Sequence, residues 1–279
     1  MNRLAARLLV DAIVAALVSI CVALAAIPVL ILLLFVIIKG VPGMLTPGFF
    51  TDLPHPIGVP GGGVFNAIVG TLIIVGIASL LAVPFGTLVG IFLSEYGRNR
   101  IGDGVRFVSD VLTGLPSIAF GILGYVVLVA TLGHFSALSA SVALAVLMLP
   151  VILRATETAL VLVPQSLREA GLALGAPRWR VTMEVVVPAA LGGIVTGALL
   201  SMARAAGETA PLLFTALGND FLRVNPLQPM GDLALTVFRN ALSPYSDWQN
   251  QAWGAALLLV ILVAITNVLA RTLVRRIQG

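Results

Sequence analysis

Apolar residues in this chain gather into long unbroken runs separated by short polar stretches. Six runs stand out, at roughly 11–38, 66–93, 107–132, 138–156, 185–214 and 253–269. A helix needs about 20 apolar residues to cross the hydrocarbon of a bilayer, and each run meets or approaches that length. None shows the period-2 alternation of barrel strands, so the pattern predicts helices. The expected fold is an all-α polytopic membrane protein with six transmembrane helices. It forms one domain over residues 1–279, with a first span at 11–38 and a core at 66–270.

Composition agrees with the pattern. Hydrophobic residues make up 59% of the chain and charged residues 10%, with a mean hydropathy of +1.09. A soluble domain could not cover its surface with so few polar groups. The net charge of +4 matters less than its distribution. Arg3 and Arg7 lie at the N-terminus, and Arg98, Arg100 and Arg106 between the second and third runs. Arg154, Arg168, Arg178 and Arg180 lie around the fourth-to-fifth connection, and Arg271, Arg275 and Arg276 at the C-terminus. The alternate connections hold only Lys39, Arg223 and Arg239. The positive-inside rule therefore puts both termini and the central loop, 157–184, in the cytoplasm. The basic balance reports topology, and no nucleic-acid partner is implied.

Ala23-Leu24-Ala25 resembles a signal-peptidase site, but the apolar run continues through Ile38, so an uncleaved first span is expected. The lone Cys21 excludes an internal disulfide and reads as a small core hydrophobe. The first outer loop, 39–64, is rich in Pro and Gly, and its Phe49-Phe50 pair is expected at the membrane interface. The second, 215–251, contains a predicted short helix at 233–242, with Tyr245 and Trp248 as interface anchors. Pro28, Pro84, Pro116 and Pro150 fall inside predicted spans, and Pro188 and Pro211 near the ends of the fifth. Each is read as the ordinary proline content of membrane helices. Gly86 with Gly90, Gly193 with Gly197, and Gly121 predict close helix packing.

Enzyme chemistry is missing from the sequence. There is no G-x-x-x-x-G-K-[ST], and the one lysine, Lys39, follows Ile37-Ile38. His55 and His134 have no Cys or carboxylate at metal-ligand spacing. No catalytic residues, cofactor or metal are expected, which leaves a transporter or channel subunit.

Two features carry function. The first is the charged, small-residue segment from Arg168 to Arg180, where Glu169 precedes Gly171, Gly175 and Ala176. A low-profile helix here could seat in a partner's groove, or rest on the membrane surface beneath the bundle. The residues alone do not choose between the two.

Glu169-Ala170-Gly171-x-x-x-Gly175, followed by Val185-Val186-Val187-Pro188, resembles the EAA loop of binding-protein-dependent ABC-importer permeases, with Gly171 in place of the second alanine. Asn66 to Leu72, Asp110 to Gly121 and Ala203 to Pro211 further resemble the permeases of phosphate importers, the PstA type more than the PstC type. The resemblance implies the type I ABC importer permease fold. It also implies a cytoplasmic ATPase dimer (PstB-like) docked on Glu169, Ala170, Gly171, Gly175 and Pro188. A homologous permease (PstC-like) and an extracytoplasmic phosphate-binding protein (PstS-like) would complete the assembly within membrane lipid of the bacterial inner membrane.

The second feature is Arg204 with Glu208, two charges in an otherwise apolar run. Intramembrane charge is costly and marks function by default. At i and i+4 the two share a helix face and can pair as a neutral internal salt bridge. Alternatively Arg204 lines the pathway and offers its planar fork to an oxyanion, with Glu208 orienting it. The resemblance implies participation in translocation. Arg154 with Glu157, and Asp110 with a basic residue or as a helix cap, read as structural pairs. Inorganic phosphate is the expected cargo, with sulfate, molybdate or tungstate as alternatives and an ATP-independent carrier or channel as the rival class.

Overall fold

The computed structural model describes residues 3–56, 58–59 and 61–278. Ile57 and Pro60 of the first outer loop, and the side chains of Arg3, Arg271, Arg275 and Arg276, lie outside the described residues. Among the described residues ten helices follow in order: α1 (Arg3–Met44), α2 (Phe65–Glu95), α3 (Arg100–Gly114), α4 (Ser117–Leu132), α5 (Ala137–Val161), α6 (Gln165–Ala173), α7 (Arg178–Ala206), α8 (Ala210–Thr215), α9 (Leu233–Ala241) and α10 (Ser246–Gln278). No strand occurs among the described residues.

Five of these, α1, α2, α5, α7 and α10, contain stretches long and apolar enough to cross a membrane alone. The expected third span differs: it is the bent pair α3–α4, which turns by 103°. Pro116 lies at this bend, with its neighbour Leu115 in extended backbone. A residue before proline is driven out of the α region, so this proline breaks a span instead of merely decorating it. The expected fifth span is also interrupted. Regular helix ends at Ala206, and α8 resumes after Gly207-Glu208-Thr209, with Pro211 in its first turn.

Helix α5 is the axis of the bundle. On one side it meets α2, where a Cβ on Gly86 would lie 2.8 Å from Ile152 and one on Gly90 2.6 Å from Thr156. On the other side it meets α7, where a Cβ on Gly193 would lie 2.6 Å from Ala159 and one on Gly197 would collide with Ala155. Both glycine pairs thus bring helix backbones together, as their spacing predicted. The buried core fills the rest of this seam with Ile74, Ala78, Leu144, Met148 and Ala205.

Residues 10–35 of α1 are exposed in the isolated chain, and among the described residues α1 meets α10 near its C-terminal end, through Gly40 and Gly43 and the edge of Phe35 on Trp253. Cys21 lies on the exposed stretch, so it is not the core residue that was expected. Phe49 also departs from expectation. It is buried against Gly254 and clusters with Val64 and Leu233, while only Phe50 is exposed.

Two helix starts near the second outer loop are capped by side chains. Ser136 caps α5, and the next two N–H groups, of Ala137 and Leu138, donate to Gln228 O and Pro226 O of the second outer loop. Asp232, in that loop, caps α9 by accepting from Ala234 N and Leu235 N, and receives Thr71 Oγ1 of α2 at 2.9 Å. Its burial pushes the carboxyl up to about 6, against these hydrogen bonds, which favour the ionised form.

Candidate functional site

The cytoplasmic end of the bundle holds the first candidate surface. Helix α6 starts after Pro164 and ends through Gly175, whose φ of +79° gives the left-handed conformation that releases the chain from the helix. None of the nine residues of α6 is buried. Glu169 and Ala170 are exposed, and Leu167, Leu172, Leu174 and Trp179 add exposed apolar surface to the segment. Gly171 faces the protein: a Cβ there would lie 2.9 Å from the Val181 methyls, so the smaller residue lets α6 close onto the start of α7. Pro188 is the second residue of the regular helix that follows a π-helical turn at Thr182–Val186. Proline cannot donate to the carbonyl four residues back, and the wider turn accommodates that loss. The five EAA-like residues therefore occupy one exposed segment and its exit, with Glu169 and Ala170 outward.

Charged residues that the sequence placed far apart converge beneath this segment. Arg168 donates to the buried Glu95 at the end of α2, with Nη2 to Oε1 at 2.8 Å. Arg178 donates to Glu95 O and lies over the Tyr96 ring. Sequence reasoning missed Glu95, although a carboxylate closing an apolar run was a visible signal. A second cluster ties α3 to α5. Arg106 meets Glu157 at 2.7 Å, and Arg154 meets Asp110 at 2.6 Å and Glu157 at 3.0 Å. Both expected pairs form and share Arg154, and Arg106 extends the network through Glu157. All these arginines lie at one end of the bundle, as the positive-inside reading requires. At the other end Arg239 is occupied by Asp220.

The second candidate lies at the interruption between α7 and α8. Arg204 Nε stands 3.3 Å from Glu208 Oε1. The guanidinium side chain is 49% exposed in the isolated chain and the carboxylate side chain 17%. Gly207 N and Glu208 N bond three residues back, to Arg204 O and Ala205 O, so the helix tightens and stops between the two charges. Arg204 thus occupies the last turn of α7, where a cation suits the helix dipole. Across the break Gly121 of α4 fits against Pro211: a Cβ there would lie 2.8 Å from its Cα. The pair has a broken, closely packed helix on one side and open surface on the other. Its guanidinium keeps donors free to meet an anion.

Among the described residues no group of three or more His, Cys, Asp or Glu is placed to hold a metal ion.

Comparisons with known proteins agree with this architecture. The chain is 43% identical over 236 residues to the phosphate transport system permease protein PstA of Yersinia pestis, covering 84% of this chain and 80% of that one. It is 40% identical over 253 residues to phosphate transport system permease protein PstA 1 of Mycobacterium tuberculosis (strain ATCC 25618 / H37Rv), covering 88% and 81%. A solved structure of the MetNI methionine ABC transporter in an inward-facing conformation shares the fold, with a TM-score of 0.65 at 22% identity over 77% of this chain and 95% of that chain. The profile of the family described as "Binding-protein-dependent transport system inner membrane component" matches residues 82–279, and the chain belongs to that family of multi-pass inner-membrane permeases.

Proposed function

We propose that this chain is the permease subunit of an ATP-driven, binding-protein-dependent importer of inorganic phosphate. The observation that carries the reading is the identity of 40–43% across more than four fifths of the chain to proteins named as phosphate transport permeases. The site geometry supports the same mechanism. Helix α6, unburied and presenting Glu169, is the docking element for a cytoplasmic ATPase dimer. The outer loops around α9 meet an extracytoplasmic phosphate-binding protein, and a homologous permease completes the pathway.

ATP-driven closure of the ATPase moves α6, and the spans tilt with it between outward and inward access. Arg204, with donors free of Glu208, offers a planar fork to phosphate oxygens in the pathway, while Glu208 holds its orientation. No covalent step belongs to this chain; it supplies a path and a moving contact.

The test is binding-protein-dependent uptake of labelled phosphate by the reconstituted complex, with excess sulfate, molybdate or tungstate as competitors. Uptake that requires ATP and persists against the competitors is the expected result. Transport of one of the competitors in place of phosphate overturns the cargo assignment, and uptake without any ATPase overturns the importer reading.

A further inference from the structure

If α6 receives the push of an ATPase, something must hand that push to the membrane spans. Burial cannot do it, because no residue of α6 is buried. Between α6 and the spans lies a cavity of about 540 Å³, lined among others by Ser94, Glu95, Arg98, Gln165, Arg168 and Leu172. The helix therefore stands off the bundle along much of its inner side. Gly171 against Val181 ties it to α7, its own continuation in the chain.

Among the described residues, Arg168 is the side chain of α6 that hydrogen-bonds to other spans. Its Nε and Nη2 both donate to Glu95 Oε1, at 3.2 and 2.8 Å. Nη1 donates to Val163 O at 2.7 Å, and Nη2 also donates to Leu160 O at 2.8 Å. Leu160 lies in the last turn of α5 and Val163 two residues past its end, where carbonyls are short of helical partners and a cation is favoured. One guanidinium thus joins α6 to the inner ends of α2 and α5 together. The side chains are 15% and 6% exposed for Arg168 and Glu95, so water competes poorly for these bonds. The planar fork fixes direction as well as distance.

We infer that the Arg168–Glu95 pair is the mechanical link that couples movement of the docking helix to the transmembrane spans, with Arg168 a positioning residue for transport. A displacement of α6 must carry α2 and α5 along or break four hydrogen bonds. Beyond the link the path is stiff. Gly86 and Gly90 seat α2 on α5, and Gly193 and Gly197 seat α5 on α7, with no space for either seam to slip. Helix α7 carries Arg204 at its far end. Movement at Glu169 thereby reaches Arg204 through backbone contacts and one ion pair. The inference rests on the reading of α6 as the ATPase-docking element.

The experiment measures phosphate transported per ATP hydrolysed by the whole importer in proteoliposomes, for wild type, Glu95→Gln, Glu95→Asp and Arg168→Lys. Glu95→Gln keeps side-chain size but removes the charge, and the ratio is expected to fall about tenfold while the ATPase still co-purifies. Arg168→Lys keeps the charge but cannot span all three acceptors, and is expected to fall similarly. Glu95→Asp keeps the carboxylate and is expected to retain more of the ratio than Glu95→Gln. A wild-type ratio in Glu95→Gln, or in Arg168→Lys where Glu95→Gln does not assemble, overturns the inference and leaves the importer reading intact. Loss of ATPase association in both variants also overturns it, because the pair would then serve assembly and not transmission. A wild-type complex that neither binds an ATPase nor moves phosphate refutes the underlying reading instead.

Discussion

Replacing Arg204 with Gln separates a pathway cation from a stabilising salt bridge. The pair is an i,i+4 contact of 3.3 Å whose guanidinium is half exposed, and such pairs contribute about 0.3–0.5 kcal/mol. Losing that much leaves the protein folded and at normal abundance. If Arg204 instead donates charge-assisted hydrogen bonds to a phosphate in transit, each is worth about 1.5–3 kcal/mol, or roughly ten- to a hundredfold in rate. The complication is Glu208, which at 17% exposure becomes an unpaired carboxylate in Arg204→Gln and could block transport by its own charge. A cycle of Arg204→Gln, Glu208→Gln and the double variant resolves this. The assay is initial-rate uptake of labelled phosphate, normalised to membrane protein level. The double variant is expected to be as slow as Arg204→Gln, because restoring neutrality does not restore a donor to the anion. Recovery of uptake in the double variant would refute the reasoning, since the two residues would then matter only as each other's counterion.

Three further outcomes follow from the geometry. Glu169→Lys alters an exposed position on a helix with no buried residue, so unfolding should change by no more than about 0.5 kcal/mol while co-purification with the ATPase is lost. Gly90→Leu places side-chain atoms where even a Cβ would lie 2.7 Å from Leu153 O, and should cost about 1–3 kcal/mol or more, read as a lower unfolding temperature in detergent. Asp232 is buried, and its carboxyl is raised from 3.8 to about 6, so the native state holds its proton more tightly than the unfolded chain. The stabilisation this provides is full below about pH 4, and is lost as pH rises through about 6. Asp232→Asn keeps an oxygen for Ala234 N and Leu235 N and gains an amide donor toward Thr71 Oγ1. Its unfolding should lose the slope between pH 4 and 6 and gain on the order of 3 kcal/mol relative to wild type at pH 7. A wild-type stability that is flat over that range contradicts the assignment.

Much of the membrane architecture could be read from local pattern, because the bilayer imposes its own rule: a span must be apolar over a fixed length whatever it packs against. The runs at 66–93 and 138–156 lie inside α2 and α5, and the short outer helix lies within a residue of its expected bounds. The errors cluster where a break depends on context. The same proline signal left Pro28, Pro84 and Pro150 inside helices, yet coincides at Pro116 with a turn of 103°. Hydropathy cannot separate these cases, since neighbours decide whether a freed carbonyl is re-satisfied. Phe49 and Cys21 failed similarly. Composition placed an aromatic at an interface and a cysteine in a core, whereas packing against Gly254 buried the first, and the second is exposed in the isolated chain.

Sequence by itself determined the apolar runs, the clustering of arginine between alternate runs and the chemical identity of both candidate features. Each rests on residues close together in the chain: the segment from Glu169 to Pro188, and Arg204 with Glu208 four positions apart. Tertiary structure alone decided what those features are attached to. Arg168 meets Glu95 across 73 positions and Arg106 meets Glu157 across 51, and no periodicity within one helix encodes such a partnership. Charges buried at helix ends find partners through the packing of whole helices, and that packing is set here by glycines on either side of α5.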